Sequence, residues 1–160
     1  MMFASILQHN PSLKFVYFDM CQDTRCITAQ REIKKKFPNL DITVTAGDST
    51  VTVPKYTQEH AGTTSCDFIS IDGGHFADIP RKDIANMKFL AHDKTIVVID
   101  DVGLNSDREY ERVVGKAWFN AVEGGTIKTE GCSPCMDVSL YPESEKRCNF
   151  CVGRYVLHGM

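Results

Sequence analysis

The feature that most constrains the fold is an alternation of strand-like and helix-like segments along the chain. Runs rich in β-branched and aromatic residues recur, and segments with apolar residues at helical spacing lie between them. This alternation is typical of an α/β domain with an open, mostly parallel sheet. The strands are predicted at Lys14 to Phe18, Asp41 to Thr45, Cys66 to Asp72 and Thr95 to Ile99.

Helices are predicted between these strands and after the last of them. The predicted helices run from Thr24 to Phe37, from about Pro80 to Ala91, and from Asp107 to Val122, with Ser106 or Asp107 as the cap of the third. The Thr-rich segment before His60 shows only a weak pattern. The rest of the chain, from Thr126 onward, predicts two antiparallel strands joined by a long loop. We expect residues 1–160 to form a single domain.

Charge and hydropathy exclude several classes of function. The 18 basic and 21 acidic residues give a net charge of -3, which argues against a general electrostatic attraction to nucleic acid or anionic lipid. The longest apolar stretches, such as Thr95 to Ile99, are too short to span a membrane. The first residues also lack the basic and apolar pattern of a signal peptide. We therefore expect a cytoplasmic protein that binds neither nucleic acid nor membrane.

Acidic residues follow the predicted strands at their carboxyl ends. Asp19 and Asp72 each end one strand, the pair Asp100-Asp101 ends another, and Asp48 lies just past a fourth. A single aspartate at such a place often caps the next helix or makes a turn. Ligands of an open parallel sheet bind outside this edge, however, and crowded carboxylates require a cation or a diol to balance them. The sequence therefore predicts a binding site at this edge.

Four motifs in this order carry a resemblance to a known family. They are Phe18-Asp19, Gly47-Asp48-Ser49, the segment from Asp67 to His75 (D-F-I-S-I-D-G-G-H), and Val98-Ile99-Asp100-Asp101-Val102. Together they resemble the class I S-adenosylmethionine-dependent methyltransferases. The I-D-G-G-H block followed by a D-D pair is similar to the metal-dependent O-methyltransferases of the macrocin and catechol type. The resemblance covers about Phe15 to Val122.

The resemblance implies a position for the cofactor. Asp19 matches the acidic residue that accepts hydrogen bonds from the ribose hydroxyls, a task suited to a carboxylate. Asp48 and Ser49 match positions beside the adenine ring. Asp72 and Gly73 match the turn that approaches the cofactor, where glycine lets the backbone come close to a ligand.

The resemblance also implies a metal ion and a base. Asp72, Asp100 and Asp101 match three ligands of a divalent cation, and all-oxygen ligation suits Mg²⁺. Such a metal would orient a substrate hydroxyl beside the methyl donor. His75 is the candidate general base, because histidine exchanges protons near neutral pH. The alternative is a turn histidine that orients Asp72.

One part of the family pattern is missing. The family opens with a strand and a glycine-rich turn around the cofactor, whereas this sequence has no glycine before Gly47. The resemblance implies that the absent first strand would lie between the Phe15 strand and the Cys66 strand. Three explanations stay open: an N-terminal truncation, a smaller sheet in an inactive relative, or a strand supplied by a second copy or partner chain, which leaves a homodimer open. We expect this chain to bind S-adenosylmethionine weakly or not at all.

Seven cysteines are many for a protein of this size. Two C-x-x-C pairs, Cys132/Cys135 and Cys148/Cys151, are separated by twelve residues, a spacing close to that of four-thiolate zinc sites. Zinc, a disulfide and reduced thiols are all open, and reduced thiols are favoured because residues three apart in a strand point to opposite faces.

These observations predict an S-adenosylmethionine-dependent, divalent-metal-assisted O-methyltransferase, or a fragment of one. Its substrate would be a small hydroxylated molecule. The alternative is a catalytically inactive binding or interaction module that keeps the acidic edge, so that enzymatic activity itself stays open. A third reading is a zinc-binding protein built around the terminal cysteines.

Overall fold

The computed structural model describes residues 13–103, 108–133 and 150–157. The chain divides into two compact units, unit 1 from Met1 to Thr52 and unit 2 from Val53 to Met160. The expectation of a single domain stays a prediction. No helix in the described ranges is long and apolar enough to cross a membrane.

Unit 1 contains two parallel strands and the helix that connects them. Strand β1 (Lys14–Asp19) pairs with β2 (Asp41–Ala46), and helix α1 (Thr24–Lys36) lies between them in the chain. Helix α1 begins after Asp23, whose carboxylate accepts a hydrogen bond from the Arg25 amide at 2.8 Å. Three lysines occupy its last turn, where positive charge suits the helix dipole. These elements agree with the sequence pattern.

The segment that shows only a weak pattern in the sequence forms helix α2 (Ser49–Glu59). Its β-branched residues and the internal Pro54 lower helix propensity, which hides the helical period. The helix begins at Asp48, whose Oδ1 atom accepts a hydrogen bond from the Thr50 amide at 2.8 Å. The boundary between the two units falls within this helix.

Unit 2 is a four-stranded sheet with helices between its strands. Its elements are β3 (Cys66–Ile71), α3 (Ile79–Met87), a short 3₁₀ turn (Lys88–Leu90), β4 (Ala91–Asp100), α4 (Glu109–Glu123), β5 (Ile127–Cys132) and β6 (Phe150–Tyr155). The sheet order is β3-β4-β6-β5, with β3 and β4 parallel and the other pairs antiparallel. The predicted caps Ser106 and Asp107 lie outside the described residues.

This arrangement confirms an α/β fold with parallel strands and an antiparallel pair at the C-terminus. Among the described strands, β3 pairs with β4 alone, so its second edge carries no described partner. The expectation that a strand of the family pattern is missing beside β3 stays a prediction.

The hydrophobic core lies in unit 2. Its fully buried side chains include Trp118 and Val114 on α4, Val97 and Ile99 on β4, and Ile127 on β5. At the edge of this core, the Tyr155 hydroxyl donates a hydrogen bond to the Ile84 carbonyl at 2.9 Å. Burial alternates along the branched run of β4: Thr95, Val97 and Ile99 are buried, whereas Ile96 and Val98 are half-buried. One face of the strand is therefore enclosed more completely than the other, and not both faces equally as the branched run predicts.

The terminal cysteines correct the expectation of reduced thiols. Cys132 and Cys151 form a disulfide, because the register of β5 and β6 places them opposite each other with their Cα atoms 3.9 Å apart. A disulfide uses two of the four sulfurs that a Cys₄ zinc site would need, so this state does not provide that site. Cys135 and Cys148 lie outside the described residues.

Candidate functional site

The carboxyl ends of β3 and β4 lie side by side. The two strands are parallel, and Ile71 at the end of β3 pairs with Ile99 near the end of β4. Asp72 directly follows β3, Asp100 is the last residue of β4, and Asp101 follows it. Parallel pairing therefore brings the two sequence-predicted acidic ends to one edge.

Three side chains converge at this edge. One ligand atom each from Asp72, His75 and Asp101 lies within 4.8 Å of the other two. Nε2 of His75 is 3.8 Å from Oδ1 of Asp72, and Nδ1 is 3.5 Å from Oδ2 of Asp101. The imidazole therefore lies between two carboxylates, near enough for electrostatic attraction but too far for ideal hydrogen bonds.

The crowding of carboxylates changes their titration. Burial raises the pKa of Asp72 above its usual range, and repulsion from Asp100 and Asp101 raises it further, while His75 opposes the change. Burial likewise raises the pKa of Asp101, His75 lowers it, and Asp100 and Glu111 raise it. Negative charge at this edge is thus incompletely balanced by the described residues, which is the condition that a bound cation relieves.

Asp100 takes a different place from the other two predicted ligands. Its Oδ1 atom accepts a hydrogen bond from the Asp101 amide at 2.9 Å. Asp101 itself has a φ of 56°, a left-handed conformation that is uncommon outside glycine and often found at functional sites. The structure thus brings together Asp72, Asp101 and His75, while Asp100 acts on the group through its charge. The predicted ligand set of Asp72, Asp100 and Asp101 stays a prediction.

The Gly73-Gly74 turn needs its glycines because other side chains approach it closely. A Cβ atom on Gly73 would lie 3.0 Å from Oδ2 of Asp83, and one on Gly74 would lie 3.0 Å from Cδ1 of Ile79. Asp83 on α3 is itself buried. Sequence reasoning found the turn but missed Asp83, because a helical aspartate carries no local sign of burial.

Tyr110, at the start of α4, contacts this group, and Arg108 in turn contacts Tyr110. The rings of Tyr110 and His75 stack with centroids 5.7 Å apart and planes 18° apart. Nη1 of Arg108 donates a hydrogen bond to the Tyr110 hydroxyl at 2.7 Å and lies 3.4 Å from Oε1 of Glu111. Tyr110 lies within the helix that the sequence predicts from Asp107 to Val122, but sequence reasoning gave it no role at the site. Its position shortly after the D-D pair was the signal that could have placed it beside the site.

The donor set fits a divalent cation. The Nε2 atom of His75 is buried and has no hydrogen-bond partner among the described residues, so its lone pair is able to bind a metal ion or to accept a proton, but not both at once. Carboxylate oxygens and an imidazole are ordinary ligands of divalent ions. A cavity of about 10 Å³ adjoins His75, Gly73 and Asp100, which is room for one water molecule or ion but not for an organic substrate.

The predicted cofactor residues Asp19, Asp48 and Ser49 belong to unit 1. Oδ1 of Asp19 accepts a hydrogen bond from the Cys21 amide at 2.6 Å, and Oδ2 accepts one from the Tyr17 hydroxyl at 2.8 Å. A carboxylate with two such bonds keeps lone pairs for a ribose diol, so Asp19 fits the group. Asp48 caps α2 and Ser49 is its first residue. The structure thus shows for Asp48 the helix-capping role that the sequence leaves open for an aspartate after a strand.

Comparison with solved structures identifies the fold. CalS11, a TDP-rhamnose 3'-O-methyltransferase of calicheamicin biosynthesis, has a TM-score of 0.61 and 15% identity, over 95% of this chain and 64% of that one. An O-methyltransferase from Bacillus cereus in complex with SAH has a TM-score of 0.65 and 10% identity, over 97% and 79%. The N-methyltransferase NodS from Bradyrhizobium japonicum has a TM-score of 0.54 and 12% identity, over 96% and 92%.

These similarities concern the fold alone, because the identities are low. The chain spans less than two thirds of the length of CalS11. No curated protein matches the sequence significantly. The fold is that of the class I S-adenosylmethionine-dependent methyltransferases, and the neighbours include proteins that methylate oxygen and one that methylates nitrogen.

A family model adds evidence from the sequence itself. The model described as "Methyltransferase domain" matches residues 1–102, which include the acidic ends of β1, β3 and β4. This match covers more than half of the chain. The chain therefore belongs to the methyltransferase domain family.

Proposed function

We propose that this chain carries the catalytic part of an S-adenosylmethionine-dependent, divalent-metal-assisted O-methyltransferase for a small hydroxylated substrate. The observation that carries the proposal is the convergence of Asp72, His75 and Asp101 at the carboxyl edge of the β3–β4 pair. Family membership supports methyl transfer, and this convergence supports a metal-assisted version of it.

The acidic cluster would hold the metal. Asp72 and Asp101 would supply ligand oxygens, and Asp100 would supply a third or hold Asp101 in its left-handed conformation through their hydrogen bond. Mg²⁺ is the expected ion, because carboxylate oxygens dominate the donors. When bound, it would supply charge that stabilises an alkoxide.

His75 would act as the general base. Its Nε2 atom would take the proton that the acceptor hydroxyl releases, and the neighbouring carboxylates of Asp72 and Asp101 would stabilise the resulting imidazolium. The stacked ring of Tyr110 would hold the imidazole in place.

Unit 1 would bind the methyl donor. Asp19 would accept hydrogen bonds from the ribose hydroxyls, and Asp48 and Ser49 would lie beside the adenine. S-adenosylmethionine would supply an electrophilic methyl group. No residue before Gly47 in this sequence is a glycine, so residues 1–46 would not supply a glycine-rich cradle for the methionine part.

Metal titration tests the site without knowledge of the acceptor. Isothermal calorimetry with Mg²⁺ and Mn²⁺ should show one site per chain, and Asp101→Asn should weaken binding about tenfold or more. The matched control is Asp67→Asn, because Asp67 is an exposed aspartate at the opposite, amino end of the neighbouring strand β3, where it pairs with His92. Equal affinity in both variants would contradict the site.

A binding module without catalysis is the second candidate, and it is favoured by the small cavity beside His75, about 10 Å³, which has no room for an organic substrate. Calorimetry with S-adenosylhomocysteine separates the two. Binding of the cofactor product together with the metal, even weak binding, supports the enzyme. Metal binding with no heat from the cofactor product supports the module and contradicts our proposal.

A further inference from the structure

A cysteine pair occupies the loop that follows β1. Cys21 lies two residues past the end of β1, and Cys26 lies in the first turn of α1. Their sulfurs are joined in a disulfide, with Cα atoms 5.2 Å apart and five residues of separation. The bond therefore fastens the loop after β1 to the start of the following helix.

Cys26 is the sulfur better suited to carry negative charge when this bond is open. It is the third residue of a 13-residue helix, where the helix dipole favours a thiolate, although the Asp23 carboxylate caps the same helix end. The Gln30 side chain donates a hydrogen bond to its sulfur at 3.2 Å. Both cysteines are only partly buried, so a small thiol reagent can reach them.

The same loop holds the carboxylate of Asp19. The Cys21 amide donates to Oδ1 of Asp19 at 2.6 Å. Cys21 has a φ of 47°, in the left-handed region that costs a non-glycine residue free energy. The disulfide holds Cys21 in that conformation and thereby keeps the amide directed at Asp19.

We propose that Cys21 and Cys26 form a thiol–disulfide exchange site for low-molecular-weight disulfides of the glutathione class, and that its oxidised state orders Asp19. The effect on cofactor binding rests on the proposed function, in which Asp19 binds the ribose. The thiol–disulfide exchange itself does not depend on the proposed function.

Glutathione disulfide would be the oxidant of the Cys21 and Cys26 thiols. The Cys26 thiolate attacks one sulfur of glutathione disulfide, forms a mixed disulfide and releases one glutathione. The Cys21 thiolate then attacks the Cys26 sulfur and releases the second. The two protein thiols lose two electrons and two protons in total, and glutathione disulfide becomes two molecules of glutathione.

The remaining described cysteines are internal controls. Cys151 is fully buried, whereas Cys132 is half-buried. Their bond joins two paired strands, so while unit 2 is folded a reagent can reach the bond only through the Cys132 sulfur. Burial is the main cause that raises the pKa of the Cys66 thiol, which disfavours its reactive thiolate.

The exchange is tested on the full chain in buffers of varied glutathione to glutathione disulfide ratio. Free thiols are trapped with N-ethylmaleimide and located by peptide mass spectrometry. We expect Cys21 and Cys26 to change state across the series while Cys132 and Cys151 stay oxidised, both in the wild type and in Cys66→Ser. A Cys21–Cys26 pair that does not respond, or responds only together with Cys132–Cys151, would overturn the proposal.

The effect on Asp19 is tested by NMR and calorimetry. The Cys21 amide proton should exchange with solvent about tenfold faster in reduced protein and in Cys26→Ser than in oxidised protein. S-adenosylhomocysteine should bind about tenfold more weakly in those states, as expected for a disordered ligand carboxylate. Exchange without either change would disprove the coupling to Asp19. If the thiols and the Cys21 amide respond to oxidation as expected but no state of the protein binds S-adenosylhomocysteine, the result would instead count against the proposed function.

Discussion

The two units of this chain carry similar elements but bury very different amounts of surface. None of residues 13–52 in unit 1 is buried, although its strands are rich in aromatic and β-branched residues. Every buried hydrophobic residue among those described, from Val53 to Tyr155, belongs to unit 2. Two parallel strands and one helix offer too few layers to enclose a hydrophobic core, whereas the four strands of unit 2 and their helices enclose one.

The two units would carry different parts of the proposed chemistry: unit 2 the metal site and unit 1 the cofactor ribose. The candidate metal ligands lie at the edge of a sheet with a complete core, which can hold them in fixed positions. Asp19 lies on a unit that has no buried side chain of its own among the described residues, so its position depends on local devices. These devices are the Cys21 amide, the Tyr17 hydroxyl and the Cys21–Cys26 bond.

The largest expected effect concerns the core of unit 2. Trp118→Ala should lower the free energy of unfolding by about 3–5 kcal/mol, because it empties a fully buried site. The control in unit 1 is Ile27→Ala, which changes a side chain that is 56% exposed and should cost less than about 1 kcal/mol. Urea unfolding measures both losses. It is followed by circular dichroism and not by tryptophan fluorescence, because Trp118 is the only tryptophan and the variant lacks it. Equal losses would refute the contrast between the units.

The two disulfides should stabilise their units to different degrees. Loop closure over 19 residues predicts that replacing both Cys132 and Cys151 with alanine costs about 3 kcal/mol. Closure over five residues predicts about 2 kcal/mol for the Cys21 and Cys26 pair. Urea unfolding of the two double variants without reductant measures the difference. A greater loss from the unit 1 pair would reverse our ranking.

Most of the elements could be predicted from the sequence because their signals are local. The branched runs of β1 to β4, the period of α1 and the acidic strand ends are all properties of neighbouring residues. Parallel pairing then brings Asp72 and Asp101 together without further information. The extent of β4 was underestimated because its first residues, from Ala91 to Lys94, are mostly polar.

The rest depends on contacts between segments far apart in the chain. The Cys132–Cys151 bond follows from the register of β5 and β6, which shifts at an irregularity between Thr129 and Gly131. No spacing rule in the sequence reveals such a shift. The stacking of Tyr110 on His75 likewise joins the first turn of α4 to a loop 35 positions earlier in the chain.

A smaller effect sharpens the account of the unit 2 sheet. Gly153→Ala on β6 should cost about 2 kcal/mol, because a Cβ atom there would lie 2.6 Å from the Lys128 carbonyl oxygen, which is backbone. The control is Gly131→Ala on the paired strand β5, where a Cβ atom meets nothing within 4 Å. Thermal unfolding compares the two. If Gly153→Ala were as stable as Gly131→Ala, the close packing of β5 and β6 would be wrong.

The smallest effect compares one carboxylate from each unit by pH. Burial and neighbouring acids raise the pKa of Asp72 above its usual 3.8, so the folded state binds its proton more tightly than the unfolded state. Its contribution to stability is therefore full below pH 3.8 and is lost as the pH rises through the raised value. The Asp23 pKa is lowered, first by its hydrogen bond with the Arg25 side chain. Its contribution is present above 3.8 and is lost as the pH falls through the lowered value.

The test uses the metal-free chain in a chelator and follows urea unfolding from acid to neutral pH. Asp72→Asn should remove a loss of stability that the wild type shows as the pH rises above 3.8, with an effect below about 1 kcal/mol because this side chain is 62% exposed. Asp23→Asn keeps a side chain that can cap α1 and should remove a change of the opposite sign. If both variants changed the pH profile in the same direction, the carboxylate of Asp72 would not lie in a crowded acidic site, and the contrast between the units would not extend to charge.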